Sequence, residues 1–239
     1  MSLAPKKQSF AEHTVRQLNS FQYANRLRNF NFNTKTKESM SYAIIGSGKV
    51  GQALAKAFAR EKIEVAIASR RSPEALAPIA KAIGPTIIPK TLHDALKAEI
   101  VFLAIPFGTH KDVAKAAKSW QGKIVIDVTN AYGVSPEELG NLPSSVVISR
   151  ALPGAKLVKA FNHLEAETLA EDPKVEGGRR VLFLSSDDEG AAARVAELVE
   201  QLGFAPVQLG RLEEGGLLVQ ARGKSWAPLI FQDLFKKGK

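Results

Sequence analysis

The sequence predicts an α/β protein: a doubly wound, mostly parallel sheet of about eight strands, with no separate helical substrate domain. Three observations carry that expectation. Short apolar runs of about four to eight residues alternate with longer segments of helical period. The first run, residues 42–45, leads directly into Gly46-Ser47-Gly48-Lys49-Val50-Gly51 and then into the Ala-rich stretch VGQALAKAFAREK. A second run, residues 63–68, follows and ends in Ser69-Arg70-Arg71. Strand, GxGxxG turn, helix, strand is the order of a Rossmann-type dinucleotide-binding unit.

Within the turn each glycine has its own task. Gly46 permits the tight turn off the strand, and Gly48 lets the backbone approach a pyrophosphate with no Cβ in the way. Gly51 allows the helix to pack close to the strand, and the free N–H groups at the helix start favour an anion. Ser47 and Lys49 line the same turn. After the second strand, a carboxylate would bind the ribose 2′-OH of NAD and repel a 2′-phosphate. Ser69, Arg70 and Arg71 stand there instead, and guanidinium groups bind phosphate bidentately. The expected cofactor is therefore NADP(H).

The remaining elements follow in order. Ser72-Pro73-Glu74 starts a helix, with Ser as N-cap and Pro in the first turn, that runs to about residue 82 and stops at Gly84-Pro85. Residues 86–88 form a short strand, and Thr91 caps a brief helix ending near Lys97. EIVFLAIP, residues 99–106, reads as a strand buried on both faces. A helix over 110–119 precedes a strand over 123–128, which ends in Thr129-Asn130. Further on come a helix over 144–151, a strand over 156–161 that stops at Asn162-His163, and a short helix over 164–170. A strand over 180–184, a helix to Leu202 and a strand over 204–209 close the sheet. A last helical piece falls at about 216–235. This alternation predicts one sheet layer with right-handed crossovers, parallel strands and helices on either side.

The net charge of +9 is uneven: residues 1–39 hold seven of the 33 Lys and Arg against two of the 24 Asp and Glu. The basic character thus belongs largely to this stretch, and nucleic-acid binding is not expected of the folded part. Residues 1–39 read as a disordered leader without the apolar core of a secretory signal. They are either a transit peptide or, as favoured here, an addition upstream of a natural start at Met40. Residues 40–239 are then the NADP-binding domain with a short C-terminal helical segment. No apolar run approaches the length of a membrane span, and the chain has no cysteine, which excludes disulfides and thiol catalysis and fits a cytoplasmic location.

No metal site is expected, because the four histidines are dispersed. No Tyr-x-x-x-Lys pair occurs. His110, four residues after Pro106, either donates a hydrogen bond to the cofactor edge or starts a helix in solvent. His163 stands at a strand end, and His93 reads as a surface residue. Trp226, Phe231 and Phe235 read as core, with covering a second-cofactor pocket as the alternative.

GSGKVG, SRR, AIPF, DVTN and KAFN, at successive strand ends, resemble the NADP-dependent oxidoreductases typified by coenzyme F420:NADP oxidoreductase. The same stretch is similar to the reductase domain of the STEAP metalloreductases. The resemblance covers about residues 41–235 and implies a pyrophosphate loop at Gly46, Ser47, Gly48, Lys49 and Val50. It further implies a 2′-phosphate clamp at Ser69, Arg70 and Arg71, and Ile105 and Pro106 against the ribose and nicotinamide side. Asn130 and the backbone of Ala160 would hold the carboxamide end. The implied reaction moves hydride between NADPH and a flavin or F420-like acceptor, with no obligatory catalytic side chain. Two alternatives stand beside it: reduction of a small imine, ketone or quinone, and an NADP(H)-binding sensor without turnover. Only about 30 residues follow the last sheet strand of the reading, so the small-molecule acceptor is expected on the Rossmann domain itself. Oligomeric state is left open, a homodimer being one option.

Overall fold

A computed structural model describes residues 41–221 and 233–237. The first βαβ unit is β1 (Tyr42–Ile45), α1 (Lys49–Arg60) and β2 (Val65–Ala68). Next come α2 (Pro73–Ile83), β3 (Ile87–Pro89), α3 (Leu92–Ala95) and β4 (Ile100–Leu103). A 3-10 turn, Phe107–Thr109, leads into α4 (His110–Ala116), followed by β5 (Ile124–Asp127), α5 (Ser144–Ala151) and β6 (Lys156–Ala160). The chain continues through α6 (Ala166–Ala170), β7 (Lys174–Val175), β8 (Gly178–Ser186), α7 (Glu189–Gln201), β9 (Ala205–Gln208), α8 (Gly215–Leu218) and β10 (Phe235–Lys237). The leader, Trp226 and Phe231 lie outside the described residues.

The six strands from β1 to β6 are parallel and lie in the order β3-β2-β1-β4-β5-β6. This is the doubly wound Rossmann order, whose ligand crevice opens beyond the carboxyl ends of β1 and β4. Period-two alternation divides the strand side chains between two cores. Ile44, Phe102 and Ile126 face α1, α2 and α7, whereas Ala43, Val101 and Val125 face α3, α4 and α5. A chain of aromatic rings (Tyr42, Phe58, Phe102, Phe161, Phe204) crosses the first core with centroid separations of 5.4 to 6.5 Å. Phe102 is fully buried, and such rings hold sheet and helices in one register.

The sheet is mostly parallel, as expected, and its direction reverses after β6. Strand β8 runs antiparallel to β6, pairing Ala160 with Leu184 and Val158 with Ser186. The connection explains the reversal. Helix α6 has only five residues, about 7.5 Å at 1.5 Å per residue, too short to carry the chain back to the start of the sheet. Helix α7, with 13 residues, spans that distance, so β9 lies parallel to β8. Strand β8 is also longer than expected. Its first residues extend past the end of β6 and pair with β7 on one edge and β10 on the other.

Ten strands are described rather than about eight, the additions being the two-residue β7 and three-residue β10. Phe235, expected at the end of a helical piece, starts β10 opposite Arg180 instead. Arg180 explains the placement: its Nε donates to Asp233 Oδ1 at 3.1 Å and its Nη2 to Glu171 Oε2 at 2.8 Å. Helix α4 stops at Ala116, three residues short of the expected end.

Candidate functional site

Gly46 leaves β1 with φ +122°, and its N–H donates to Ala68 O at 2.8 Å. A Cβ on Gly46 would lie 2.0 Å from Ala104 O, and one on Gly51 would lie 2.0 Å from Gly46 O. Both positions therefore require glycine: the turn is pressed between β4 and the first turn of α1. At Gly48 a Cβ would meet no protein atom within 4 Å, because that side of the turn faces open space. Gln52 holds the turn through Nε2 to Ser47 O at 2.9 Å.

The start of α1 differs from the other long helices. It has no side-chain cap and no acid in its first turn. Ser72 caps α2 by accepting from Ala75 N–H at 3.4 Å, and Asp188 caps α7 by accepting from Ala191 N–H at 2.7 Å. Uncapped N–H groups beside a glycine turn are a ready anion site. Val50 and Gly51 sit in that first turn, half-buried and buried. Lys49 is turned aside, pairing with Glu167 on α6 at 3.3 Å.

A cleft of about 250 Å³ begins at this turn. It is lined by Ile45, Gly46, Ser47 and Gly48, by Ser69 and Arg70, and by Ala104, Ile105 and Pro106. Leu92, Thr109, Asp112 and Val113 complete it. Leu92 comes from α3, whereas Thr109, Asp112 and Val113 come from the 3-10 turn and the start of α4, and nothing local in the sequence marks them. Ser69 Oγ accepts from Arg71 N–H at 3.1 Å, which bends the chain so that Arg70 and Arg71 both stand exposed. Among the described residues no carboxylate is within ion-pair distance of either guanidinium. An uncapped helix start and exposed guanidinium groups are both features that attract anions.

His110 starts α4, but buried rather than in solvent. It is 3% exposed, with Nδ1 within hydrogen-bonding distance of Phe107 O and its ring 5.0 Å from that of Phe107. The 3-10 turn before α4 rotates it inward, away from both solvent and the cleft lining. Among the described residues no group of His, Cys, Asp or Glu could hold a metal.

Asn130 and Ala160 lie farther along the carboxyl edge, at the ends of β5 and β6. Asn130 Nδ2 donates to Asn162 O at 2.9 Å, and Asn162 Nδ2 donates to Asn130 Oδ1 at 3.1 Å. Asn162 Nδ2 also donates to Val219 O at 2.7 Å. Between Ala160 and Asn162, Phe161 adopts φ +63°. This left-handed conformation costs a non-glycine residue on the order of 1–3 kcal/mol and concentrates at functional sites. Packing offsets the cost: the Phe161 ring is 1% exposed and lies between Phe102 and Phe204.

Sequence reasoning missed a buried ion pair beneath this edge. Lys159 Nζ donates to Asp127 Oδ2 at 3.1 Å, and the two side chains are 1% and 0% exposed. Lys159 Nζ also donates to Thr129 O. Asp127 Oδ1 accepts from Thr129 N–H at 2.9 Å and from Thr129 Oγ1 at 2.7 Å. Burial pushes the Lys159 ammonium below its ordinary pKa, and the Asp127 carboxylate opposes that shift. His163 is buried too, its Nε2 donating to Val181 O at 3.3 Å. Desolvation lowers its pKa to about 4, only partly offset by that bond.

Residues 41–131 match the family described as NADP oxidoreductase, coenzyme F420-dependent. Metalloreductase STEAP2 of Mus musculus is 31% identical over 180 residues, covering 74% of this chain and 35% of the relative. The chain thus spans about a third of the length of the curated relatives it matches. Among solved structures, a hypothetical protein from Sinorhizobium meliloti is 41% identical with a TM-score of 0.77. That alignment covers 83% of this chain and 96% of the other. A candidate F420-dependent NADP reductase from Arthrobacter sp. FB24 is 29% identical with a TM-score of 0.58, covering 72% and 86%.

Proposed function

We propose that the chain, whose residues 41–131 match the coenzyme F420-dependent NADP oxidoreductase family, is an NADP-dependent oxidoreductase that transfers hydride between NADPH and a flavin or deazaflavin acceptor stacked on the nicotinamide. The observation that carries this reading is the cleft lined by the glycine turn before the uncapped α1 start, by Ser69 and Arg70, and by Ile105 and Pro106. In it the N–H groups of Lys49, Val50 and Gly51 would hold the pyrophosphate, and Ser69, Arg70 and Arg71 the 2′-phosphate. Ile105 and Pro106 would flank the ribose toward the nicotinamide, and Asn130 with the Ala160 backbone would meet the carboxamide end.

When bound, the dinucleotide supplies the hydride, so the protein need only place two planar partners face to face and keep water out. Neither task asks for an acid or base at the reacting atoms. The stacking reading is tested by following NADPH oxidation with FMN, FAD and F420 offered in turn. Turnover on at least one of these planar acceptors is expected. NADPH binding with no turnover on any of the three rejects the acceptor class.

A further inference from the structure

Asp127 and Lys159 are the last paired residues of the β5–β6 ladder, immediately before both strands open into the carboxyl edge of the sheet. Placing an ion pair there does little for the fold, since a buried pair gains little over well-packed apolar side chains of similar volume. Its hydrogen bonds, however, all point to one place. Asp127 takes both donors of Thr129, and Lys159 takes the Thr129 carbonyl. The backbone of Thr129 is thus gripped on both of its polar groups, one residue before Asn130.

A second tier lies just above. Asn130 and Asn162 exchange amide hydrogen bonds across the same two strand ends, on the far side of the left-handed Phe161. The Ala160–Phe161 segment is thereby fixed between Lys159 below and Asn162 above. Ser185, the residue paired with Ala160's neighbour Lys159 across β8, presents a buried hydroxyl toward no partner among the described residues. Lys159 is therefore committed to the β5 side of its strand.

We propose that Lys159, acting through Asp127 and Thr129, is a positioning residue for the nicotinamide half of the dinucleotide: it sets the backbone at Asn130 and Ala160. This rests on the reading of the cleft as an NADPH site. The adenine half, held by the α1 turn and Arg70, is independent of it.

The test compares two ligands by calorimetry: NADPH, and adenosine 2′,5′-bisphosphate, which has the 2′-phosphate but lacks the nicotinamide half. Lys159→Met is expected to weaken NADPH about tenfold while changing the bisphosphate by less than about twofold. Because that variant strands a buried carboxylate and can fail to fold, Asp127→Leu/Lys159→Met is measured beside it. The double variant removes both charges, keeps the core apolar, and is expected to show the same selective loss of NADPH. Equal losses for both ligands, or no loss for either, in every variant that folds overturns the positioning role. If the unmutated protein binds neither ligand, the dinucleotide reading falls, and the role of Lys159 falls with it.

Discussion

Arg70 shows how much one residue decides. It is exposed and lines the cleft, and its guanidinium meets no described carboxylate. Its contact with the cofactor would exist only when a 2′-phosphate is present. Arg70→Ala is therefore expected to weaken NADPH by about 1.5–3 kcal/mol, roughly tenfold to a hundredfold, with NADH changed by less than about twofold. Parallel titrations of the variant check this, and equal losses would remove Arg70 from the phosphate clamp. The position of Arg70 at the cleft could be read from the sequence because it follows directly on the end of β2. Gly46 and Gly51 declare themselves by spacing, and the structure supplies the reason in two contacts at 2.0 Å that a Cβ would make. His110 was not legible, because its inward turn depends on the 3-10 turn before it. Lys159 was hidden for a different reason: inside KLVKAF a lysine reads as the polar face of a strand, and only the assembled sheet shows an acid opposite it.

At the scale of elements, the βαβ unit and the strand–helix alternation as far as β6 could be read from apolar runs and caps. Ser72 and Thr91 cap their helices through Ala75 and Asp94 N–H groups, as their sequence positions suggest. Strand direction beyond β6 could not be read, since an apolar run such as RVLFL looks the same in either sense. The five residues of α6 fix the direction. The reversed β8 has an energetic consequence, for its protruding end covers His163 with the Val181 carbonyl and the Phe183 ring, 4.9 Å away. His163 stays neutral in the folded protein down to a pKa of about 4, whereas an unfolded chain takes up the proton near 6.5. The unfolded state binds more protons between those values, so stability falls as pH drops from about 6.5 and the loss levels off near 4. The shift corresponds to about 3 kcal/mol. His163→Gln, which keeps a donor for Val181 O, is expected to lessen the loss between pH 7 and pH 4.5 by an amount of that order. Urea midpoints of the two proteins at both pH values measure it, and identical pH dependence would show that His163 is not the titrating group.

For the molecule as a whole, the strand order places one crevice beyond the carboxyl ends of β1 and β4, and the glycine turn and Arg70 line it. The glycine turn with its uncapped helix start and the Ser69-Arg70 segment come from two separate stretches of chain, yet both line a cleft of about 250 Å³. Among the described residues no helix is long and apolar enough to cross a membrane. The part of the cleft lined by Leu92, Thr109, Asp112 and Val113 exists only after folding. The convergence is tested most directly by titrating the unmutated protein with NADPH and with NADH under the same conditions. A dissociation constant for NADPH at least about tenfold below that for NADH is expected if the exposed guanidinium groups of Arg70 and Arg71 bind the 2′-phosphate as proposed. Equal constants, or a preference for NADH, would contradict the assignment of Ser69, Arg70 and Arg71 and the placement of the dinucleotide built on it.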